Sequence, residues 1–245
     1  MTEEERFIKN YNANEYKKPS VTADIVVFTL DEDDDLNILL IKRKGYPFKD
    51  HWAIPGGFLQ AEEESVDETA KRELYEETGI KDVFLKQLYT FSKPDRDPRT
   101  HVISVAYTAL VPKSLLSIKA GDDAKDAKLF KIKYDVNGII FYNDNVSFTE
   151  KDLAFDHADI IKTAITRLRN RIDYEDDALN LLKNPESFTI SEVKKIYETI
   201  KNESLDLPNF RKMFLREYVA TNKVVDSKQT LPTKGKPARL YRLNK

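Results

Sequence analysis

Apolar positions along this chain follow two periods, and the points where one gives way to the other mark its organisation. Residues 1 to 18 are polar and read as a short helix and a linker. Val21 to Leu30 and Leu36 to Arg43 are strand-like runs rich in Val, Ile and Leu, and the acidic run Asp31 to Asp35 between them predicts a solvated hairpin turn. Val66, Ala70 and Leu74 then recur near helical spacing; Ser65 followed by Glu68 is an N-cap signature and Gly79 is a stop, so a helix fills this stretch. Strand-like runs return at Val83 to Ser92, Val102 to Val111 and Leu129 to Ile132, followed by a hairpin from Gly138 to Phe148 around Asn143-Asp144-Asn145.

The helical period resumes at Phe155-Asp156-His157 and holds through Ile160, Ile161, Ala164, Ile165, Leu168 and Ile172, with Arg167, Arg169 and Arg171 outside the apolar stripe. Such a helix suits a connection that packs on the preceding body or on a second subunit, and His157 reads as a hydrogen-bonding residue at its start. From Asp176 short helices near 177 to 183, 190 to 201 and 207 to 219 precede two strand-like runs, Lys223 to Val225 and Ala238 to Leu243, around Pro232 to Pro237. Three helices and then a basic hairpin is the pattern of a winged helix-turn-helix. Leu207, Phe210, Phe214 and Tyr218 form the expected core face of the third helix. Asn209, Arg211, Lys212 and Arg216 are thereby left for a groove of double-stranded DNA, with Lys234 and Lys236 of the wing over phosphate. A dimerisation module with a basic surface is the competing reading.

The candidate chemistry sits on the capped helix. Glu73, Glu76 and Glu77 stand at i, i+3 and i+4, which places three carboxylates on one face. A solvated acidic stripe has the same pattern; a hard cation such as Mg²⁺ or Mn²⁺, which takes oxygen ligands, would offset the repulsion. Arg96 and Arg99, in the charged loop Lys93 to His101, either hold a substrate's phosphates or ribose or pair with Asp95 and Asp97. Arg43, at a strand end, faces phosphate or solvent. His51 reads as a surface residue, and His101 is a lesser candidate beside the arginine loop.

The stretch Gly56 to Ile80, and above all Arg72-Glu73-Leu74-Tyr75-Glu76-Glu77-Thr78-Gly79-Ile80, resembles the Nudix box of hydrolases that act on nucleoside diphosphates linked to another moiety. One departure is visible: six residues separate Gly57 from Glu64 where the family has five, which reads as an insertion in the loop before the helix. The resemblance implies that Glu73, Glu76 and Glu77 hold Mg²⁺ or Mn²⁺ with the Gly57 carbonyl, serving as catalytic groups, while Glu64 and Arg72 brace the box. The Arg96 to Arg99 loop is similar to one in Nudix domains that take ADP-ribose-like substrates. Over nearly the whole chain, with the AFDH helix start and the tail GKPARLYRL, the sequence resembles the Nudix-related transcriptional regulators of the NrtR type. That resemblance implies a Nudix α/β/α sandwich with a mixed sheet and a winged helix, an ADP-ribose-like ligand, DNA, a homodimer, and a regulator in which hydrolysis is retained. A dedicated pyrophosphatase and a catalytically silent sugar-metabolite sensor are its alternatives. The expected domains are 1–150 for the Nudix unit with its N-terminal helix, 151–175 for the linking helix and 176–245 for the winged helix.

Charge sharpens this division. The net charge of −2 conceals +8 over residues 207–245 and therefore −10 over the rest, so a basic tail suited to a polyanion is joined to an acidic body. The absence of cysteine excludes disulfides, thiolate metal sites and a cysteine nucleophile. The polar N-terminus argues against a signal peptide, and no segment approaches the roughly 20 apolar residues that span a bilayer, so a cytoplasmic protein without a membrane partner is expected.

Overall fold

In a computed structural model, residues 1–81, 83–116, 124–233 and 235–244 are described. The chain begins with α1 (Glu3–Asn10) and continues through β1 (Ser20–Leu30), β2 (Leu36–Arg43), β3 (Trp52–Ala53), β4 (Gly56–Phe58) and α2 (Val66–Thr78). It then forms β5 (Lys86–Phe91), β6 (Val102–Leu110), β7 (Ala124–Asp135), β8 (Gly138–Tyr142), β9 (Ser147–Thr149) and α3 (His157–Arg171). The last portion holds a 3₁₀ turn at Asp176–Leu181, α4 (Ile190–Lys201), α5 (Leu207–Phe214), β10 (Val224–Leu231) and β11 (Ala238–Leu243).

Alternation along β1 generates the layers. Ala23, Ile25 and Val27 pack on one side with Ala70 and Leu74 of α2, whereas Val26, Phe28 and Leu30 pack on the other with Ile160, Ile161, Ala164 and Ile165 of α3. A strand covered on both faces has to be apolar throughout, and β1 is buried from Thr22 to Leu30. The sheet order is β5-β6-β1-β2-β7-β8-β9, with β3 on β2 and β4 on β1; β1 and β6 are parallel while the other ladders are antiparallel. Because β1 pairs with β4 at Thr22–Asp24 and with β2 only from Phe28, the sheet divides at this end, and the glycine turn is carried into the division.

Several boundaries differ from the sequence pattern. The strand expected from Val83 begins at Lys86, because Val83 and Leu85 pack as irregular chain against the α2 side of the core. The short run at Leu129 is the middle of the long strand β7, whose exposed lysines hide its period. The hairpin at Gly138 to Phe148 is there as β8 and β9, extending the main sheet.

In the winged helix α4 is capped by a reciprocal Thr189–Glu192 box and closed by Asn202 at φ 56°. The first helix expected there is a 3₁₀ turn, and the third is α-helical to Phe214 and π-helical from Leu215 to Val219. Leu207, expected in the core face, is 46% exposed at the helix start, while Phe210, Phe214 and Tyr218 are buried with Tyr197 and Tyr241. Phe188 and Tyr241 exchange two backbone hydrogen bonds, at 2.9 and 2.8 Å, which fix β11 to the entry of α4. Among the described residues no helix is long and apolar enough to cross a membrane.

Candidate functional site

Helix α2 is held in register by its ends. Ser65 and Glu68 make a reciprocal capping box, and Gly79 closes the helix at φ 74°. The extra loop residue is absorbed just before the cap, where Glu62 turns at φ 74° and Glu63 and Glu64 both donate backbone N–H to the Gln60 carbonyl. A loop takes up one residue at small cost, whereas a slip inside the helix would turn each carboxylate by about 100°.

Glu64 therefore reaches Arg72. Nε and Nη2 of Arg72 donate to Glu64 Oε2 and Oε1 at 2.9 and 2.7 Å, and Nη1 donates to Glu73 Oε1 at 2.7 Å and to Glu76 Oε2 at 3.0 Å. Arg72, Gln60 N–H and Thr69 Oγ1 hold the Glu64 carboxyl down at about 2. Burial pushes Glu73 the other way, with the charges of Glu76 and Glu64 adding to it and Arg72 opposing.

The glycine turn meets this helix at close range. Gly56 N–H donates to Glu77 Oε2 at 2.9 Å. A Cβ on Gly57 would stand 2.2 Å from Glu73 Oε1, and one on Gly56 would stand 2.4 Å from the Ala23 carbonyl oxygen. At Gly56 backbone leaves no room for a Cβ, whereas at Gly57 a Cβ would displace the movable Glu73 carboxylate.

Hard oxygen donors on one helix face, one of them against bare backbone, fit a divalent cation. Their mutual approach is looser than that of Asp31, Asp33 and Asp35, whose oxygens lie within 4.8 Å of one another. That trio, of which Asp31 is half-buried, is however filled by the Lys131 ammonium, 3.0 Å from Asp31 and 2.9 Å from Asp35, in keeping with a turn rather than a metal site. Between Glu73 and Glu76 the corresponding positive charge is Arg72.

A cleft of about 590 Å³ gathers Gly57, Arg72 and the three helix glutamates together with Arg43, Arg96 and Arg99. The arginines are already engaged. Arg96, buried, donates through Nε and Nη2 to Asp156 at 2.9 and 2.6 Å, and its Nη2 lies 3.6 Å from Asp24. Arg99 makes a two-point pair with Asp97, at 3.0 and 2.7 Å. Both Arg43 and Arg99 lie over the Phe155 ring, at 4.8 and 5.8 Å.

Asp24 and Phe155, which line the cleft, and Asp156, which pairs with Arg96 behind it, are residues that the sequence pattern did not assign. Asp24 is a lone acid in an apolar strand, a signal that was available; burial pushes it up despite the hydroxyl donated by Ser104. Of the histidines, His157 is the buried one: its Nδ1 accepts the Ile54 N–H at 3.1 Å, and burial lowers its pKa to about 3. His51 and His101 are exposed and touch the carbonyls of Asp152 and Ser92.

On the winged helix Asn209, Arg211, Lys212, Arg216 and Lys236 are all exposed, and Arg216 pairs with Glu217 at 2.5 Å. Lys234 lies outside the described residues.

The α/β/α sandwich with its carboxylate helix, joined to a winged helix, defines a two-domain protein of Nudix type. Residues 19–134 match the NUDIX domain model, and residues 178–243 match the NrtR DNA-binding winged helix domain. The "ADPR responsive transcriptional repressor NtrR" of Acinetobacter baylyi is 31% identical over 99% of this chain and 89% of its own length. An ADP-ribose pyrophosphatase of Methanocaldococcus jannaschii is 41% identical over 64% of this chain and 78% of its own. Among solved structures, a MutT/nudix family protein from Enterococcus faecalis aligns at TM-score 0.81 with 32% identity, covering 99% of this chain and 93% of that one. Shewanella oneidensis NrtR complexed with a 27mer DNA aligns at TM-score 0.69 with 27% identity, covering 91% of this chain and 93% of that one. The chain belongs to the NrtR family of Nudix-related transcriptional regulators.

Proposed function

We propose that this protein is a cytoplasmic, homodimeric transcriptional regulator that binds an ADP-ribose-like nucleoside diphosphate in its Nudix cleft and DNA with its winged helix, and that it hydrolyses the ligand. One observation carries this reading: a single chain joins a cleft of about 590 Å³, walled by three glutamates and four arginines, to a helix whose Asn209, Arg211, Lys212 and Arg216 all face solvent. The relatives support it: the ADPR responsive repressor and the NrtR complexed with DNA each align over nearly the whole chain, and the ADP-ribose pyrophosphatase over 64% of it.

Glu73, Glu76 and Glu77, with the Gly57 carbonyl, are the groups to hold Mg²⁺ or Mn²⁺. Bound there, the cation would neutralise the diphosphate and make a water more acidic. Arg72 and Glu64 keep the glutamates aimed at the cleft, and Arg43, Arg96 and Arg99 line it with guanidinium charge suited to phosphate oxygens, Arg96 and Arg99 being oriented by Asp156 and Asp97. In the winged helix Arg211, Lys212, Arg216 and the wing's Lys234 and Lys236 contact phosphates, and Asn209 lies at the N-terminal end of the recognition helix where base edges are read.

A mobility shift with DNA upstream of the protein's own gene, with and without ADP-ribose, tests the regulator. Absence of any shift leaves a pyrophosphatase with a basic tail. On the same sample, ADP-ribose cleavage with Mg²⁺ is expected for the wild type and is expected to fall at least about a hundredfold in Glu77→Gln, the scale of removing one fixed electrostatic group. Equal turnover by the variant would remove Glu77 from the site.

A further inference from the structure

Three successive residues before and at the start of α3 bear on the cleft, Phe155 and His157 by lining it and Asp156 by holding Arg96. Phe155 lies under the guanidiniums of Arg43 and Arg99, Asp156 takes both forks of Arg96, and His157 Nδ1 accepts the N–H of Ile54, two residues before Gly56. Phe155 is held at φ 52°, a left-handed conformation that a bulky residue adopts only when its surroundings enforce it. At the other end of the same helix Arg169 Nε donates to the carbonyl of Ile200 in α4 at 3.0 Å, and its guanidinium lies 5.3 Å over the Tyr134 ring. Helix α3 is thus anchored in the cleft by one end and on the winged helix by the other.

We propose that Phe155 registers occupancy of the cleft. A diphosphate that draws Arg43 and Arg99 to itself takes them from the Phe155 ring, and α3, which starts two residues later, carries the change through Arg169 to α4 of the DNA-binding domain. The requirement for any such switch is a contact that differs between the two states, because a ligand shifts an equilibrium only by its differential affinity. The ring supplies that difference. It carries chiefly the Arg43 guanidinium, at 4.8 Å, when phosphate is away and loses it when phosphate arrives, since a charge-assisted fork on phosphate is stronger than a guanidinium on an aromatic face; Arg99 is also held by Asp97 and lies 5.2 Å from the Phe58 ring. Release leaves the ring to Phe48 and His157, 4.8 and 5.4 Å away, so the change falls on residues at the helix start.

The inference rests on the regulator reading above, and its test separates the two. The full chain is titrated with its upstream DNA, alone and with ADP-ribose whose bridging oxygen is replaced by methylene so that it is not cleaved. The quantity read is the ratio of the two DNA Kd values, expected to differ from unity by at least about fivefold in the wild type. In Arg169→Ala, DNA and analogue should each bind within about twofold of wild type when alone, while the ratio collapses to below about twofold. In Phe155→Leu, which keeps an apolar side chain but removes the aromatic face, the analogue should bind more tightly than to wild type and the ratio should again shrink. If Arg169→Ala no longer binds DNA, Phe155→Leu decides alone. A wild-type ratio retained in Phe155→Leu, or in both variants, overturns the relay and leaves the regulator standing. A wild type whose DNA affinity ignores the analogue ends the regulator reading and the relay with it.

Discussion

Arg72 gives two nitrogens to Glu64 and spends the third on Glu73 and Glu76, so one guanidinium fixes the cap of α2 and separates the carboxylates at its centre. A lysine has one ammonium and no fork, and cannot do both. Arg72→Lys is therefore expected to lower Tm and to weaken Mg²⁺-dependent turnover together, whereas Glu64→Gln should lower Tm with a smaller effect on turnover. The sign of the acid response follows from Glu64: its carboxyl is held at about 2 against an ordinary 4.5. The stability it contributes is present above about 4.5 and is lost as pH falls from there towards 2. Thermal melts across that window should show a shallower loss in Glu64→Gln than in wild type; parallel curves would contradict the pairing.

The two glycines of the turn should fail differently. A methyl on Gly57 meets the carboxylate of Glu73, the movable end of a side chain, while a methyl on Gly56 meets the Ala23 carbonyl and the Asp24 backbone. Gly57→Ala is expected to keep the fold and lose metal-dependent turnover, because Glu73 is displaced. Gly56→Ala is expected to cost roughly 1–3 kcal/mol or more in denaturant unfolding, the scale of overpacking a close contact. The reverse order of stabilities would refute the spatial account.

His157 predicts a second acid-sensitive window. Burial lowers its pKa from 6.5 to about 3 in the folded state, so the unfolded chain takes up a proton first as pH drops. The stability associated with the neutral ring is complete above about 6.5 and declines as pH falls towards 3. Replacing it by Gln, whose amide oxygen can still accept from Ile54 N–H, should flatten the dependence of Tm on pH between those values. A slope unchanged from wild type would show that other groups set it.

On the winged helix, Arg216 is already paired with Glu217, whereas among the described residues Arg211 has no ion-pair partner. Arg211→Ala is expected to weaken DNA binding and to reduce the slope of log K against log salt by about 0.9, the value for one phosphate contact on duplex DNA. Arg216→Ala should change the slope less. Equal slopes in wild type and Arg211→Ala would place Arg211 off the phosphates.

What the residue pattern determined by itself was everything short in range. The caps of α2, the i, i+3, i+4 carboxylates, the long stripe of α3 and the basic tail all follow from spacing within one element, and each stands where the spacing puts it. The inserted loop residue was legible too, because α2 is capped at Ser65 whatever precedes it. Tertiary structure decided which charges meet. Asp156 lies 60 residues from Arg96 in sequence, yet it claims a guanidinium that local reading offered either to Asp95 and Asp97 or to a ligand; the Arg99–Asp97 pair, by contrast, is local and was foreseeable. The same holds for Leu207, which helical period assigned to the core but which sits at an exposed helix start, and for Phe155, whose ring is placed under Arg43 by the packing of α3 on the sheet. Period reports which face of an element is apolar; it carries no information about which distant element covers that face, and long-range charge pairing depends on that choice.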